Sequence, residues 1–288
     1  MQIKKLNNGF EIAQLGFGTW KMWGMTTRDK SNDDQKDIEA IRYAIDAGLT
    51  TIDTAEMYAG GYSETLLGEA IKNYEREKLF LSSKVRGDNC SYAATKNACN
   101  NSLKRLWVDY LDLYYIHWRE EEFPLADTMR ALNELVEEGK IRYIWVSNFS
   151  ISSLKEAQNY SKYPIVANQV HFNLIYREPQ VSGLLEYCQK NDVMIVAWRP
   201  LQYGELQNEQ SQDILKRLSE KYQKTPFQIA LNWVISHPNV VTLFKSSTPK
   251  NIDENLWALW WELDDEDRIF LSKNFPGQQP VSNKVPLA

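Results

Sequence analysis

Short apolar segments alternate with amphipathic helical stretches along almost the whole chain, and this alternation restricts the fold more than any other feature. Strands that are each followed by a helix cannot pair as hairpins. They pair in parallel, and eight such units close into a barrel with the helices outside. The pattern predicts a strand ending near Gly18 and strands over 50–53, 79–84, 111–117, 141–147, 165–170, 193–198 and 240–244. Helices are expected over 34–47, 63–73, 92–106, 125–138, 151–160, 179–190, 213–222 and 251–261. An extra helical segment over 225–236 opens with Thr225-Pro226, a good N-cap and first-turn pair. Ahead of the first barrel strand, QIKKLNNGFEI reads as a β-hairpin turned at the two residues Asn8-Gly9 and placed to plug the barrel floor. The alternative, an open doubly wound sheet, normally carries a third glycine that Gly16-Phe17-Gly18 lacks. The expected fold is α/β, a single (β/α)8 TIM barrel domain over 1–288 with an N-terminal β-hairpin.

The 288 residues suffice for such a barrel, which needs about 250. A net charge of -5, with no cluster of cations interleaved with aromatics, argues against a nucleic-acid partner. Cys90, Cys99 and Cys188 are odd in number and lack zinc-ligand spacing, so they read as reduced packing residues and no metal site is expected. No apolar run approaches the roughly 18 residues that cross a bilayer, and the first residues lack a signal core. The expectation is a cytoplasmic protein without a membrane partner, monomeric or weakly homo-oligomeric. In WALWWEL, Trp257, Trp260 and Trp261 are expected to share a helical face with Leu256 and pack on the barrel, ahead of a dimer contact.

Asp53, Tyr58, Lys84 and His117 each end or follow a barrel strand, so all four converge at one mouth, where barrels of this kind hold their chemistry. Together they suit carbonyl reduction, which needs a hydride donor at the carbon and a proton donor at the oxygen. Tyr58 is the candidate acid, and an ammonium at Lys84 would favour its phenolate. Asp53 would pair with Lys84 and hold it. A neutral His117 would donate one ring N–H to the carbonyl oxygen while its other nitrogen accepts from elsewhere. Taken singly, Asp53 reads as a helix cap and His117 as a core histidine. Lys84 is harder to dismiss, since a lysine ending an apolar run is costly to bury unpaired.

The segment IDTAEMYAGGYSETLLGEAI (52–71) resembles the most diagnostic stretch of the aldo-keto reductases, and the similarity runs from the hairpin to about Asn274. The resemblance implies that Asp53, Tyr58, Lys84 and His117 form a catalytic tetrad with Tyr58 as proton donor. It implies a nicotinamide dinucleotide, usually NADPH, bound without a Rossmann domain. Gly18 and Thr19 would lie near the nicotinamide, with Trp20 and Trp118 on the substrate pocket. Ser147, Asn148 and Gln169 match groups that bond the carboxamide, and Trp198, followed by Arg199, Pro200 and Leu201, matches the aromatic that stacks on the ring. By its residues alone Trp198 reads equally as strand packing. Lys245 and Ser246 fall at the 2'-phosphate, and Glu254 and Asn255 at the adenine.

Three departures from the family pattern qualify that picture. Asn251 stands where many members carry a phosphate-clamping arginine, so NADH is an expected alternative cofactor. Trp118-Arg119 replaces a Trp-Pro pair, and Arg119 is expected to pair with Glu120, Glu121 or Glu122 at the rim. The tail ending QQPVSNKVPLA is short, so an open pocket is expected. The functional expectation is NADPH-dependent reduction of aldehydes or ketones, the small-molecule carbonyl substrate being left open. The alternatives are a non-catalytic nucleotide-sensing or partner-binding subunit and a Schiff-base enzyme using Lys84, which would need a depressed lysine pKa that a paired Asp53 opposes.

Overall fold

The computed structural model describes residues 1–202, 206 and 208–288. An antiparallel hairpin of β1 (Ile3–Lys5) and β2 (Glu11–Ala13) precedes the barrel strands β3 (Leu15–Gly18), β4 (Thr51–Asp53), β5 (Phe80–Val85), β6 (Leu111–Ile116), β7 (Ile141–Ser147), β8 (Ile165–His171), β9 (Met194–Trp198) and β10 (Val240–Phe244). These eight pair in parallel in chain order, and β10 returns to β3 to close the barrel. The helices are α1 (Asp34–Asp46), α2 (Tyr62–Ile71), α3 (Tyr92–Leu106), α4 (Leu125–Glu137), α5 (Ile151–Tyr160), α6 (Glu178–Val181), α7 (Leu184–Lys190), α8 (Glu209–Tyr222), α9 (Pro226–Ile235), α10 (Pro249–Leu256) and α11 (Asp265–Asn274). Among the described residues no helix is long and apolar enough to cross a membrane.

Local chemistry explains where these elements start and stop. Asp33 accepts from the Lys36 amide to open α1, whose Ile38, Ile41 and Ile45 are buried at helical spacing, and Gly48 turns the chain at φ +96°. Thr225 and Gln228 form a reciprocal capping box at α9. The hairpin plugs the floor, with Leu6, Phe10 and Ile12 packed among Leu113, Tyr115, Trp145, Met194 and Val241 inside the barrel. Asp192 accepts from the Asn7 and Asn8 amides at 2.8 Å each, and Lys4 Nζ donates to the carbonyls of Ile235 and His237 at 2.6 and 2.5 Å.

The diagnostic segment 52–71 has a packing reason. Glu64 is fully buried behind β5, accepts from Ser83 Oγ at 2.6 Å, and pairs with Arg105 of α3 at 2.6 Å. Gly68 lets α2 approach α3, because a Cβ there would lie 2.8 Å from the Arg105 carbonyl oxygen. This contact anchors the loop that carries Tyr58.

Several boundaries differ from expectation. The hairpin turns through three residues, Asn7, Asn8 and Gly9, because Leu6 bonds Phe10 and Gly9 alone takes φ +92°. The expected helix 179–190 is broken at Gly183, φ +76°, into α6 and α7. α8 starts four residues early because Asn208 caps it, accepting from the Ser211 amide. The expected helix over 251–261 stops at Leu256, and Trp260 takes φ +63°. Trp257 and Trp260 therefore leave the helical face and are each 58% exposed; Trp261 packs beside Tyr222. α11 was not anticipated. All three cysteines are buried, which pushes each thiol up to about 12.

At the barrel floor, Asp112 is 1% exposed and accepts from Arg76 at 2.6 Å, Arg142 at 2.9 Å and the Leu81 amide at 2.9 Å. It ties β5, β6 and β7 together. Asp112→Ala should destabilise the fold by about 3 kcal/mol, because it strands a buried amide and a half-buried cation. Urea melts showing a change below about 0.5 kcal/mol would contradict this role.

Candidate active site

Side chains alternate along a strand, so residues in step with the barrel interior continue to the mouth. Leu113 and Tyr115 fill the interior on β6, and His117 follows in step; Trp145 precedes Ser147, Ala167 precedes Gln169, and Met194 and Val196 precede Trp198. At the C-terminal ends of the strands a cavity of about 860 Å³ opens. Its wall includes Gly18, Trp20, Asp53, Tyr58, His117, Trp118, Ser147, Asn148, Gln169, Trp198, Arg199, Pro200, Leu201, Lys245, Glu254 and Asn255.

Three expected residues stand behind that wall. Thr19 is buried and bonds the Asp53 carbonyl and Thr54 Oγ1. Ser246 is turned inward, donating to the Thr248 carbonyl at 3.1 Å. Lys84 is fully buried beneath the mouth.

Lys84 Nζ lies 2.6 Å from Asp53 Oδ2 and 2.6 Å from the Thr54 carbonyl oxygen. The other Asp53 oxygen accepts from Ser82 Oγ at 2.7 Å and Tyr115 OH at 2.5 Å. Burial pulls the Lys84 pKa below its ordinary value, against the upward push of Asp53. Pairing therefore fails as the argument against a Schiff-base lysine. Access replaces it, since the 0%-exposed amine is committed to two acceptors.

Above the pair, Tyr58 is buried, its ring centroid 4.7 Å from Lys84 Nζ, 5.7 Å from the His117 ring and 4.8 Å from the Trp20 ring. Burial, reinforced by the Lys84 and Arg86 charges, holds His117 well below its ordinary pKa, so the ring is neutral. Its Nδ1 is buried with no hydrogen-bond partner among the described residues, so the expected second partner is missing. Trp118 closes the side, its indole donating to Glu120 Oε1 at 2.6 Å. Gly87 makes room, because a Cβ there would lie 2.2 Å from the indole nitrogen.

Beyond His117, the Asn148 amide donates to the His117 carbonyl at 3.3 Å and to Ser147 Oγ at 3.0 Å, while its oxygen accepts from the Trp198 indole at 3.1 Å. Gln169 Nε2 is buried and makes no well-aligned hydrogen bond, only a weak one toward the Tyr115 hydroxyl. Trp198 is stacked on His171 at 4.1 Å. His171, at the C-terminal end of β8, is 2% exposed. Lys21, Ala59, Asn148 and Arg199 hold positive φ around the mouth. Backbone strain of this kind persists where surroundings over-determine the conformation.

At the opposite end Lys245 Nζ bonds Ser247 Oγ at 2.7 Å, and Thr248 caps α10 by accepting from the Asn251 amide. Asn251 itself lines the cavity. Arg119 pairs with Glu156 at 2.7 Å and bonds Ser153, away from the three glutamates that follow it, because α5 lies alongside. The tail reaches the cavity through Lys284 and Val285 and so supplies part of its wall. Sequence reading also missed Lys21, Met57, Phe227, Leu243 and Phe244 on the wall, and Tyr115 beneath it. Tyr115 was findable, being two residues before His117 on the same strand face; the tail carries no local signal.

Comparison with known proteins agrees with this geometry. The model of the Aldo/keto reductase family matches residues 14–268. The chain is 36% identical over 281 residues to methylglyoxal reductase YeaE of Escherichia coli K12, covering 96% of each chain. It is 36% identical over 265 residues to glyoxal reductase of Bacillus subtilis 168, covering 91% of this chain and 89% of that one. A thermostable aldo-keto reductase crystallised with the inhibitor epalrestat superimposes with a TM-score of 0.91 at 42% identity, over 94% and 99% of the two chains. An aldo-keto reductase from Klebsiella pneumoniae in complex with NADPH gives 0.85 at 35% identity, over 100% and 99%. With the barrel, the mouth and these matches in agreement, the chain belongs to the aldo/keto reductase family.

Proposed function

We propose that the protein reduces small aldehydes, 2-oxoaldehydes such as methylglyoxal and glyoxal among them, to alcohols with NADPH, Tyr58 donating the proton. The observation that carries this reading is the buried Lys84–Asp53 pair directly beneath Tyr58 and the neutral His117. The named activities of the two relatives point to the 2-oxoaldehydes.

The residues present fit a nicotinamide dinucleotide. Gln169, whose buried amide makes no well-aligned hydrogen bond and only a weak one toward the Tyr115 hydroxyl, can donate an N–H to a carboxamide oxygen on a wall that runs past Trp198 to Lys245 and Asn255. When bound, the reduced nicotinamide supplies the hydride that adds to the carbonyl carbon. As the carbonyl oxygen gains charge, Tyr58 OH transfers its proton to it. The Lys84 ammonium stabilises the negative charge left on the phenol oxygen, in a site where water does not screen it. Asp53 keeps that ammonium in place, and Ser82 and Tyr115 fix Asp53. Neutral His117 orients the substrate oxygen by an N–H from Nε2, its Nδ1 being enclosed. Trp20 and Trp118 form apolar walls that exclude solvent around a small substrate.

Tyr58→Phe should lower kcat for methylglyoxal by about a hundredfold or more while leaving NADPH binding within about twofold. Turnover retained in this variant would refute the assignment. Because the His117 pKa is depressed, the ring stays neutral through the ordinary histidine range, so kcat/KM should show no ionisation near ~6.5. An inflection there that vanishes in His117→Gln would show that the ring titrates. Asn251→Arg should lower KM for NADPH about tenfold relative to NADH, by supplying a bidentate cation at the phosphate end. Equal gains for both cofactors would place the 2'-phosphate elsewhere.

A further inference from the structure

Trp198 is held by two neighbours besides the Arg199 guanidinium, which lies 5.2 Å over its ring. One is Asn148, which accepts from the indole N–H at 3.1 Å. The other is His171, which covers one indole face with its ring at 4.1 Å and an interplanar angle of 11°. His171 is itself backed by Tyr176, stacked at 4.2 Å and 20°, so three rings form a continuous pile. The imidazole cannot rotate freely within it. Nε2–H donates to Gln202 Oε1 at 2.9 Å and Nδ1 accepts from Ser282 Oγ at 2.7 Å, an assignment in which a neutral ring satisfies both contacts.

Ser282 sits on the C-terminal segment, and that segment is fastened across the mouth at several points. Gln279 exchanges backbone bonds with Ile175 and Arg177 at 2.6 and 2.9 Å. Glu178, 8% exposed, receives the Ser282 amide on one oxygen at 2.9 Å and the Leu287 amide on the other at 3.2 Å. Ala288 then bonds the Asn148 carbonyl, and the Ser150 amide bonds Ala288. The strap therefore touches both groups that clamp Trp198, His171 through a side chain and Asn148 through the backbone.

We propose that the strap 279–288, acting through Ser282 and His171, sets the position of Trp198 and thereby the affinity of the mouth for the nicotinamide end of the cofactor. His171 is a positioning residue, standing behind Trp198 and outside the cavity wall. It holds the indole by one face, so that Trp198, with Arg199 5.2 Å over its ring, presents a fixed surface to the cavity. Preorganising that surface removes an ordering penalty from cofactor binding. Asn148 is held at φ +61° within the same network, which links the amide cluster of Ser147 and Gln169 to the strap as well.

This inference rests on the reductase reading, and the experiment separates the two. The full-length protein and the variants Ser282→Ala, His171→Gln and the double variant are titrated with NADPH, following the fluorescence of the cofactor, and assayed with methylglyoxal. Each single variant should raise the NADPH dissociation constant about three- to tenfold, and the double variant no further than the weaker-binding single one, because both changes break one chain of contacts. KM for NADPH should rise more than kcat falls. A merely structural role would instead lower the active fraction and leave the dissociation constant alone. Unchanged NADPH affinity in both single variants, or effects that add in the double variant, would overturn the strap. Absence of saturable NADPH binding by the unmodified protein would overturn the reductase reading and the strap with it.

Discussion

The Lys84–Asp53 pair is the constraint on which the rest of the mouth depends. Two opposite charges lie 2.6 Å apart with side-chain exposures of 0% and 6%. Burying them is unfavourable unless every remaining lone pair and proton finds a partner, and removing one member would leave the other unpaired at a cost of about 3–5 kcal/mol. The barrel meets that demand locally. Ser82 and Tyr115 saturate one carboxylate oxygen, and the Thr54 carbonyl takes a second ammonium proton. These groups come from three adjacent strands and their ends, so the pair can form only when β4, β5 and β6 are in register. The formation of this buried pair and the closure of the barrel are thus one structural event.

Along the barrel axis the interior changes from apolar to polar. Phe10 of the hairpin and Trp145, Met194 and Val241 fill the lower part, with Tyr115 stacked on Trp145 at 4.5 Å. Above them come Asp53, Lys84 and Gln169, then the cavity. The dry floor keeps the local dielectric low beneath the charges, which strengthens any electrostatic effect at Tyr58. The outer face repeats the same solution on a smaller scale, where Glu64, Ser83 and Arg105 lock α2 and α3 against β5 and so support the loop bearing Tyr58.

The periphery of the mouth is built differently. Its groups come from loops and from the far end of the chain, and they hold one another through backbone contacts. Glu178 and His171 engage the strap through their side chains, and both are well buried. Strand ends carry Asp53, Lys84 and His117, whereas the strap and Trp198, fastened by contacts between distant parts of the chain, form the outer boundary of the cavity. That division lets a barrel keep its reaction while altering its ligand.

Sequence alone determined the repeat of strand and helix, the plug-like hairpin and the residues that meet at the strand ends. The reason is that these depend on short-range patterns: side-chain parity on a strand, helical spacing of apolar residues, caps such as Asp33, and Gly48. Asp53, Lys84 and His117 were legible because a charged or polar group at the end of an apolar run is costly to bury unless it is paired or faces a cavity. Only tertiary structure decided the contacts between residues far apart in the chain. It turned Ser246 inward, paired Arg119 with Glu156, put Trp257 and Trp260 in solvent, and left His117 Nδ1 without a partner among the described residues. It also brought Ser282 to His171 across 111 positions and stacked His171 on Trp198. No periodicity encodes such meetings, because they follow from the three-dimensional closure of the barrel and the path the tail takes across its mouth.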